Sequence, residues 1–141
     1  MITALDHLQL TAPPGSEPAL RAFYAGALGM TEIPKPPELA GRGGCWFTVD
    51  GGRIRLYLGV EGHFRPTTKA HPGLRVADLD ACAERLAAHG APVVWDSSLP
   101  PDRRIYCQDP VGNLLEFVGP GGPAGEPVVP GVRGVGTKVK V

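Results

Sequence analysis

Several features are scarce or absent in this sequence, and each absence narrows the range of functions. Aromatic residues make up 6% of the chain and the formal net charge is +0, so the basic, aromatic surface typical of nucleic-acid-binding proteins is not expected. The same charge balance argues against binding to an anionic membrane, and no apolar run approaches the length of a spanning helix. These absences favour a small molecule as the partner, with no nucleic acid and no membrane.

Cysteine is also scarce. Cys45, Cys82 and Cys107 are the only three, and they form no CxxC pair. An odd number without such spacing favours reduced thiols over a disulfide framework or a metal site. The N-terminal residues lack the charged segment and apolar block of a secretory signal. We therefore expect a cytoplasmic protein.

The residues that are present predict one α+β domain built from a repeated unit. The chain has 141 residues, of which 43% are hydrophobic, enough for one core. Apolar alternation and turn residues predict the order βαβββ in residues 4–60 and again in residues 69–119. The first helix is expected to begin at Ser16 and the second at Asp78. Strands are predicted at residues 5–11, 30–35, 45–49, 53–58, 70–76, 92–95, 103–108 and 114–118.

The end of the chain differs in composition from the rest. Glycine and proline dominate from Gly119 to Gly136, without hydrophobic periodicity. This composition predicts a flexible tail at residues 120–141. An alternative for Lys138–Val141 is a last strand that pairs with a neighbouring subunit.

The stretch from Asp109 to Val118 carries the clearest functional signal. Pro110 and Gly112 predict a tight turn, which leads into a strand with one carboxylate, Glu116, among apolar neighbours. Because an unpaired carboxylate is costly to desolvate, Glu116 must be exposed, paired with a basic side chain or bound to a cation.

Two histidines make a cation at Glu116 worth considering. His7 and His71 both lie near the start of the first strand of their unit. If a pseudo-twofold axis relates the two units, His7, His71 and Glu116 meet across one cleft as two imidazoles and one carboxylate. Such a triad leaves coordination positions open and suits divalent Fe, Mn, Ni, Co or Zn. The alternative is that these are ordinary surface or hydrogen-bonded side chains.

The motifs at these positions resemble those of a known family. The motifs are Leu5-Asp6-His7-Leu8, Phe23-Tyr24 before Leu28-Gly29-Met30, Ala70-His71-Pro72, and Asp109-Pro110-Val111-Gly112-Asn113-Leu114-Leu115-Glu116. Together they resemble the vicinal oxygen chelate superfamily, which includes glyoxalase, bleomycin-resistance proteins, extradiol dioxygenases and fosfomycin-resistance enzymes. The resemblance covers about residues 4–119 and implies two βαβββ modules in a glyoxalase-like half-barrel cleft, usually in a homodimer. It also implies that His7, His71 and Glu116 are metal ligands, with Glu116 as the catalytic carboxylate.

One departure from the family concerns a fourth ligand on the fourth strand. The matching position is Arg55, or Tyr57 if the register slips by two. Arginine cannot bind a metal and stays cationic, which argues against glyoxalase itself. We expect instead a three-ligand site with an anionic substrate, held by Arg55 and by a hydrogen bond from Tyr57. The alternative for Arg55 is an exposed charge at a strand edge.

Other polar residues share the expected cleft. Arg104 and Tyr106 have the same parity on the seventh strand, and Gln9 lies two residues beyond His7. We expect all three to contact substrate. Trp46 and Trp95 supply either the apolar wall of the cleft or the core.

The leading hypothesis is a metal-dependent lyase, isomerase or dioxygenase that polarises a substrate oxygen. The alternative is a metal-free small-molecule binding protein of the bleomycin-resistance type, and a third hypothesis is a subunit or regulatory module that keeps only the fold. The fold alone does not choose among these reactions.

Overall fold

A computed structural model describes residues 1–121 of the chain. Two four-stranded sheets and few helices make it an α+β protein, and the predicted order βαβββ occurs twice. The elements are β1 Leu8–Ala12, α1 Glu17–Leu20 continued by a π-helix Arg21–Ala27, β2 Thr31–Ile33, α2 Pro37–Ala40, β3 Cys45–Val49, a 3₁₀ turn Asp50–Gly52, β4 Ile54–Val60, β5 Gly73–Arg75, α3 Leu79–Ala88, β6 Val94–Asp96, β7 Arg103–Gln108 and β8 Leu114–Gly119.

The described residues divide into two compact units. The first unit comprises residues 1–67 together with 109–113, and the second comprises 68–108 and the residues from 114 onward. The turn between β7 and β8 therefore belongs to the first unit, although both strands belong to the second. Each unit holds one of the two sheets.

The first sheet has the strand order β1-β4-β3-β2, with β1 parallel to β4 and the other pairs antiparallel. Alternation divides its residues between two faces. Leu10, Phe47 and Leu58 are buried on one face, and each contributes roughly 1.5–3 kcal/mol by leaving water. The other face carries polar and aromatic side chains, among them Gln9 and Tyr57, which are partners in the β1–β4 ladder.

The first helix covers the apolar face, and it differs from the prediction in two ways. Ser16 is the N-cap residue, but its side chain makes no capping hydrogen bond, since its hydroxyl donates to the carbonyl of Pro13 at 2.7 Å. The helix also widens into a π-helix, in which the Leu28 amide donates to the Phe23 carbonyl. The wider turn buries Tyr24 completely, and its ring stacks on Phe47 at 5.3 Å.

The second sheet has the order β5-β8-β7-β6, with β5 parallel to β8. Asp78 caps α3 as predicted by accepting a hydrogen bond from the Ala81 amide at 2.9 Å. The buried face of α3 lies against β7 and β8. A Cβ at Gly119 would lie 2.7 Å from the Cβ of Leu79, so a glycine is needed for this close approach.

The turn from Asp109 to Asn113 contains a buried hydrogen-bond network. The Asp109 carboxylate is 4% exposed and accepts from the Tyr24 hydroxyl at 2.7 Å, from the amides of Val111 and Asn113, and from the Asn113 carboxamide. Gly112 has φ +96, as the predicted turn requires. The network fixes the start of β8, two residues before Glu116.

Some sequence expectations differ from the structure or lie outside it. The helix α2 lies in a proline-rich stretch that was not predicted to be helical, and β5 begins at Gly73, so His71 precedes the strand. All three cysteines are free, and Cys45 and Cys107 are buried. The predicted tail, including Lys138–Val141, lies outside the described residues from position 122. Within residues 1–121 no helix has the length and apolar character needed to cross a membrane.

Candidate functional site

The clearest polar cluster of the second unit forms around His71 and Glu116. The His71 Nε2 lies 3.1 Å from Glu116 Oε2, and its Nδ1 lies 2.7 Å from the carbonyl oxygen of Lys69. A carbonyl can only accept, so Nδ1 carries the hydrogen. In the neutral ring Nε2 then presents a lone pair to a carboxylate oxygen, which also presents lone pairs. This arrangement is stable only with a cation, either a proton or a metal ion, between the two atoms.

The other oxygen of Glu116 is held by basic and phenolic groups. Arg104 Nη1 donates to Glu116 Oε1 at 3.0 Å, and the Tyr106 hydroxyl donates to the same oxygen at 3.4 Å. The side chains of Arg104 and Glu116 are 18% and 14% exposed, so solvent screens this pair only weakly. The carboxylate therefore has one oxygen neutralised within the protein and the other directed at His71.

Two further details concern the surroundings of this carboxylate. The Arg104 Nε is buried without a hydrogen-bond partner among residues 1–121. Burial, and secondly the charge of Glu116, raise the pKa of Tyr106, so its hydroxyl keeps its hydrogen and acts as a donor. A Cβ added at Gly73 would lie 3.5 Å from Glu116 Oε2. Gly73 therefore lies directly beside this oxygen of the carboxylate.

In the first unit, His7 lies directly before β1 and is fixed from two directions. Its ring stacks on Tyr57 at 4.7 Å with an interplanar angle of 22°, and Tyr57 stacks in turn on Trp46 at 4.0 Å. Its Nδ1 lies 2.8 Å from Asp6 Oδ1. A carboxylate only accepts, so Nδ1 of His7 also carries the hydrogen and Nε2 is left available.

Arg55 is exposed and interacts within the first unit. Its Nε donates to the carbonyl of Gly52 at 3.0 Å, and its Nη1 lies 3.7 Å from Asp6 Oδ2. The hydrogen bond from His7 lowers the pKa of Asp6. Desolvation opposes this effect, and the charge of Arg55 adds a weaker lowering. Arg55, Asp6 and His7 therefore form one continuous polar chain.

The strand register corrects the match with a fourth ligand. Gln9, two residues after His7, pairs with Tyr57, whereas Gly73, two residues after His71, pairs with Glu116. The position equivalent to Glu116 is therefore Tyr57. The preferred match to Arg55 was wrong, because that residue lies two positions earlier on β4. The Tyr57 ring is packed between those of His7 and Trp46, so we keep the expectation of a site with three protein ligands.

The structure brings most of the predicted site residues together in two clusters, one in each unit. His71, Glu116, Arg104 and Tyr106 form one cluster, and His7, Tyr57 and Arg55 form another. Gln9 is exposed, and its side chain lies over Gly59. A Cβ added at Gly59 would be 2.9 Å from the Gln9 Nε2. No set of three or more His, Cys, Asp or Glu side chains suited to a metal ion occurs in the described part of the chain. That His7 joins His71 and Glu116 at one ion stays a prediction.

Sequence reasoning missed two residues at these clusters, Asp6 and Gly73. Both were visible in the sequence, Asp6 as the acidic neighbour of His7 and Gly73 as a glycine two residues after His71. Sequence reasoning also left the role of Trp46 open between wall and core. The structure places its half-buried ring on Tyr57, on the face of the first sheet opposite the apolar core.

Comparisons with a family model and with solved structures point to the same protein family. Residues 4–117 match the family model of the Glyoxalase/Bleomycin resistance protein/Dioxygenase superfamily. That superfamily includes metal-dependent enzymes and fosfomycin resistance proteins, and its members bind small molecules and often form dimers. No match was found among the curated proteins.

Three solved structures illustrate the likeness. A protein assigned to the glyoxalase family from Bacillus anthracis is 42% identical, with a TM-score of 0.80, over 85% of this chain and 97% of that one. Lactoylglutathione lyase from Agrobacterium tumefaciens is 21% identical, with a TM-score of 0.65, over 84% and 94%. The fosfomycin resistance protein FosX from Listeria monocytogenes is 20% identical, with a TM-score of 0.68, over 84% and 94%. The last two likenesses show the fold alone.

Proposed function

Because the chain belongs to the Glyoxalase/Bleomycin resistance protein/Dioxygenase superfamily, we propose that it is a metal-dependent enzyme. In this proposal His7, His71 and Glu116 hold one divalent ion of the series Fe, Mn, Ni, Co and Zn, and the substrate is a small anion. The single observation that carries the proposal is the contact of 3.1 Å between His71 Nε2 and Glu116 Oε2.

Three observations support a divalent ion at these residues. The Nδ1 of His71 donates to the Lys69 carbonyl, and the Nδ1 of His7 donates to the Asp6 carboxylate. Carbonyls and carboxylates are the usual outer partners of metal-binding histidines. The free Nε2 of His71 and the Oε2 of Glu116 face each other. Two imidazoles and one carboxylate form a ligand set that leaves positions for water and substrate. When bound, such an ion supplies Lewis acidity that stabilises an oxyanion of the substrate.

The side chains around Glu116 support an anionic substrate. A buried N–H without a partner costs about 1–3 kcal/mol, and Arg104 Nε is such a group among the described residues. An oxygen of a bound carboxylate or phosphate would satisfy it. We propose that Arg104 and Tyr106 bind this anion from the second unit, and that Gln9, Tyr57 and Arg55 bind the remainder of the substrate from the first.

A metal-free binding protein of the bleomycin-resistance type is the second candidate. One observation favours it: Arg104 already neutralises Glu116 at 3.0 Å, so the carboxylate does not require a metal ion for charge balance. In that case the clusters around Glu116 and His7 would serve only to hold a ligand. A further proposal, for either candidate, is a cytoplasmic protein, which its three free cysteines suit. We also propose a homodimer, since members of the superfamily often form dimers.

Metal analysis separates the two candidates. Protein purified without chelator is expected to contain one divalent ion per chain by mass spectrometry, and His71→Ala and Glu116→Gln are expected to lose it. His89→Ala is the matched control, because His89 lies at the end of α3 with its Nδ1 on the Arg85 carbonyl. An ion-free wild-type protein that takes up none of the five metals at micromolar concentration would refute the enzyme and favour the binding protein.

A further inference from the structure

The two histidines are alike in which nitrogen they leave free, but they reach this state by different means. His71 Nδ1 is held by a main-chain carbonyl, that of Lys69, at 2.7 Å. His7 Nδ1 is held by a side chain, the carboxylate of Asp6, at 2.8 Å. A main-chain carbonyl is fixed by the fold, whereas a side-chain acceptor can be removed by a single substitution. The state of His7 is therefore open to a direct test.

Stacking alone does not determine which nitrogen of His7 is free. The contact with Tyr57 at 4.7 Å fixes the plane of the imidazole, but a half-turn of the ring about χ2 keeps the same plane and the same stacking. That half-turn would exchange the edge that carries Nδ1 with the edge that carries a carbon. The Asp6 carboxylate distinguishes the two, because only one of them gives it a hydrogen bond.

We infer that Asp6 is the positioning residue of His7: it accepts the Nδ1 hydrogen and so keeps Nε2 unprotonated and fixed in direction. Only the reason for this positioning, which is to prepare His7 as a metal ligand, rests on the proposed function. The outer partners of ligating histidines act in this way, by setting both the tautomer and the orientation of the ring.

Arg55 completes the arrangement from the other side of Asp6. Its Nη1 lies 3.7 Å from Asp6 Oδ2, while Asp6 Oδ1 accepts the hydrogen bond from His7. Its Nε is fixed on the carbonyl of Gly52, in the turn before β4. Because Asp6 is three-quarters exposed, the ion pair with Arg55 is weak, and the hydrogen bond to His7 is the main interaction of this carboxylate.

The test uses nitrogen NMR of the metal-free, histidine-labelled full chain. At about pH 8.5, where imidazole in model peptides is uncharged, the wild type is expected to show His7 as one tautomer, with hydrogen on Nδ1. In Asp6→Ala we expect a shift toward the tautomer with hydrogen on Nε2, which neutral imidazole adopts when no acceptor holds Nδ1. Asp6→Asn keeps an acceptor oxygen and should restore much of the wild-type signal.

Controls and a second measurement make the result decisive. Glu84→Ala removes an exposed carboxylate of α3 and should leave the His7 signals unchanged, while His7→Gln assigns them. Competition with a chelator should give a Zn²⁺ affinity about tenfold lower for Asp6→Ala, at the lower end for an outer partner because Asp6 is exposed. An unchanged His7 tautomer in Asp6→Ala would overturn the inference. A wild type that binds none of the five metals would overturn the proposed function, and the NMR result would still decide the role of Asp6.

Discussion

Arg104 places a permanent positive charge against one oxygen of Glu116, at 3.0 Å and with little solvent access. A cation so close to a proposed metal ligand reduces the negative charge that the carboxylate offers to an ion. It also keeps the carboxylate stable when no ion is bound. The role of Arg104 therefore differs between a metal-dependent enzyme and a metal-free binding protein.

The variant Arg104→Met tests which of the two roles Arg104 has. Without metal, the variant leaves Glu116 without its charged partner and should be about 2 kcal/mol less stable, somewhat less than for a fully buried pair. A divalent ion would replace the missing charge, so adding Zn²⁺ should raise the melting temperature of the variant more than that of the wild type. Thermal unfolding with and without the ion gives both quantities.

The control for Arg104 is Arg75→Met. Arg75 pairs with Asp102 at 3.1 Å but is 67% exposed, so its loss should cost less than about 1 kcal/mol and leave the response to Zn²⁺ unchanged. Equal responses in the wild type and Arg104→Met would contradict the view that Glu116 Oε2 receives a metal ion.

At the scale of elements, β8 depends on the turn that precedes it. Asp109 accepts four hydrogen bonds inside the first unit, and the strand that carries Glu116 begins at Leu114. This network fixes the backbone of the turn that leads into β8, the strand that carries Glu116.

Asp109→Ala should be strongly destabilising. It removes the carboxylate that accepts from the Tyr24 hydroxyl and from the amides of Val111 and Asn113, at a cost of at least about 3 kcal/mol. Tyr24→Phe removes the hydrogen bond from the Tyr24 hydroxyl to Asp109 and should cost about 1.5 kcal/mol. Tyr57→Phe, which keeps the stacking with Trp46, should change stability little. Urea unfolding measures all three, and a mild effect of Asp109→Ala would show that the network is not essential.

The elements also show what the sequence can and cannot predict. β3, β7 and β8 were predicted to within a residue because their apolar residues and flanking turns leave little choice. The assignment of Arg55 failed because register depends on the turn between β3 and β4, and a shift by two keeps the same face. Two features depend on tertiary packing that periodicity does not encode, namely the π-helix that buries Tyr24 and the buried state of Asp109.

The candidate site was predictable in type but only partly in its contacts. The residue types His7, His71 and Glu116 follow from an isolated carboxylate and two histidines at equivalent places. That Arg104 pairs with Glu116 follows from the β7–β8 register, in which Tyr106 is opposite Glu116 and Arg104 is two positions away on the same face. The sequence shows that parity, but it does not show which oxygen of the carboxylate each partner takes.

At the scale of the whole molecule, the core residues of both sheets and of α3 fall within residues 10–118. A chain that ends after residue 121 should therefore unfold with a free energy within about 0.5 kcal/mol of the full chain. A chain that ends after residue 117 is the control. It lacks Val118 and Gly119, hence the pairing with Arg103 and the contact with Leu79, and should be clearly less stable. A large loss in the longer truncation would contradict the predicted tail.

The equivalence of Tyr57 and Glu116 has a consequence for how such proteins diversify. Each half of the chain has one position at the same place in its parallel strand pair, occupied by Glu116 in one half and by Tyr57 in the other. A duplicated architecture of this kind can gain or lose a donor by exchanging one amino acid, while the remaining half preserves the fold. Chemical variety within the superfamily therefore needs no new backbone.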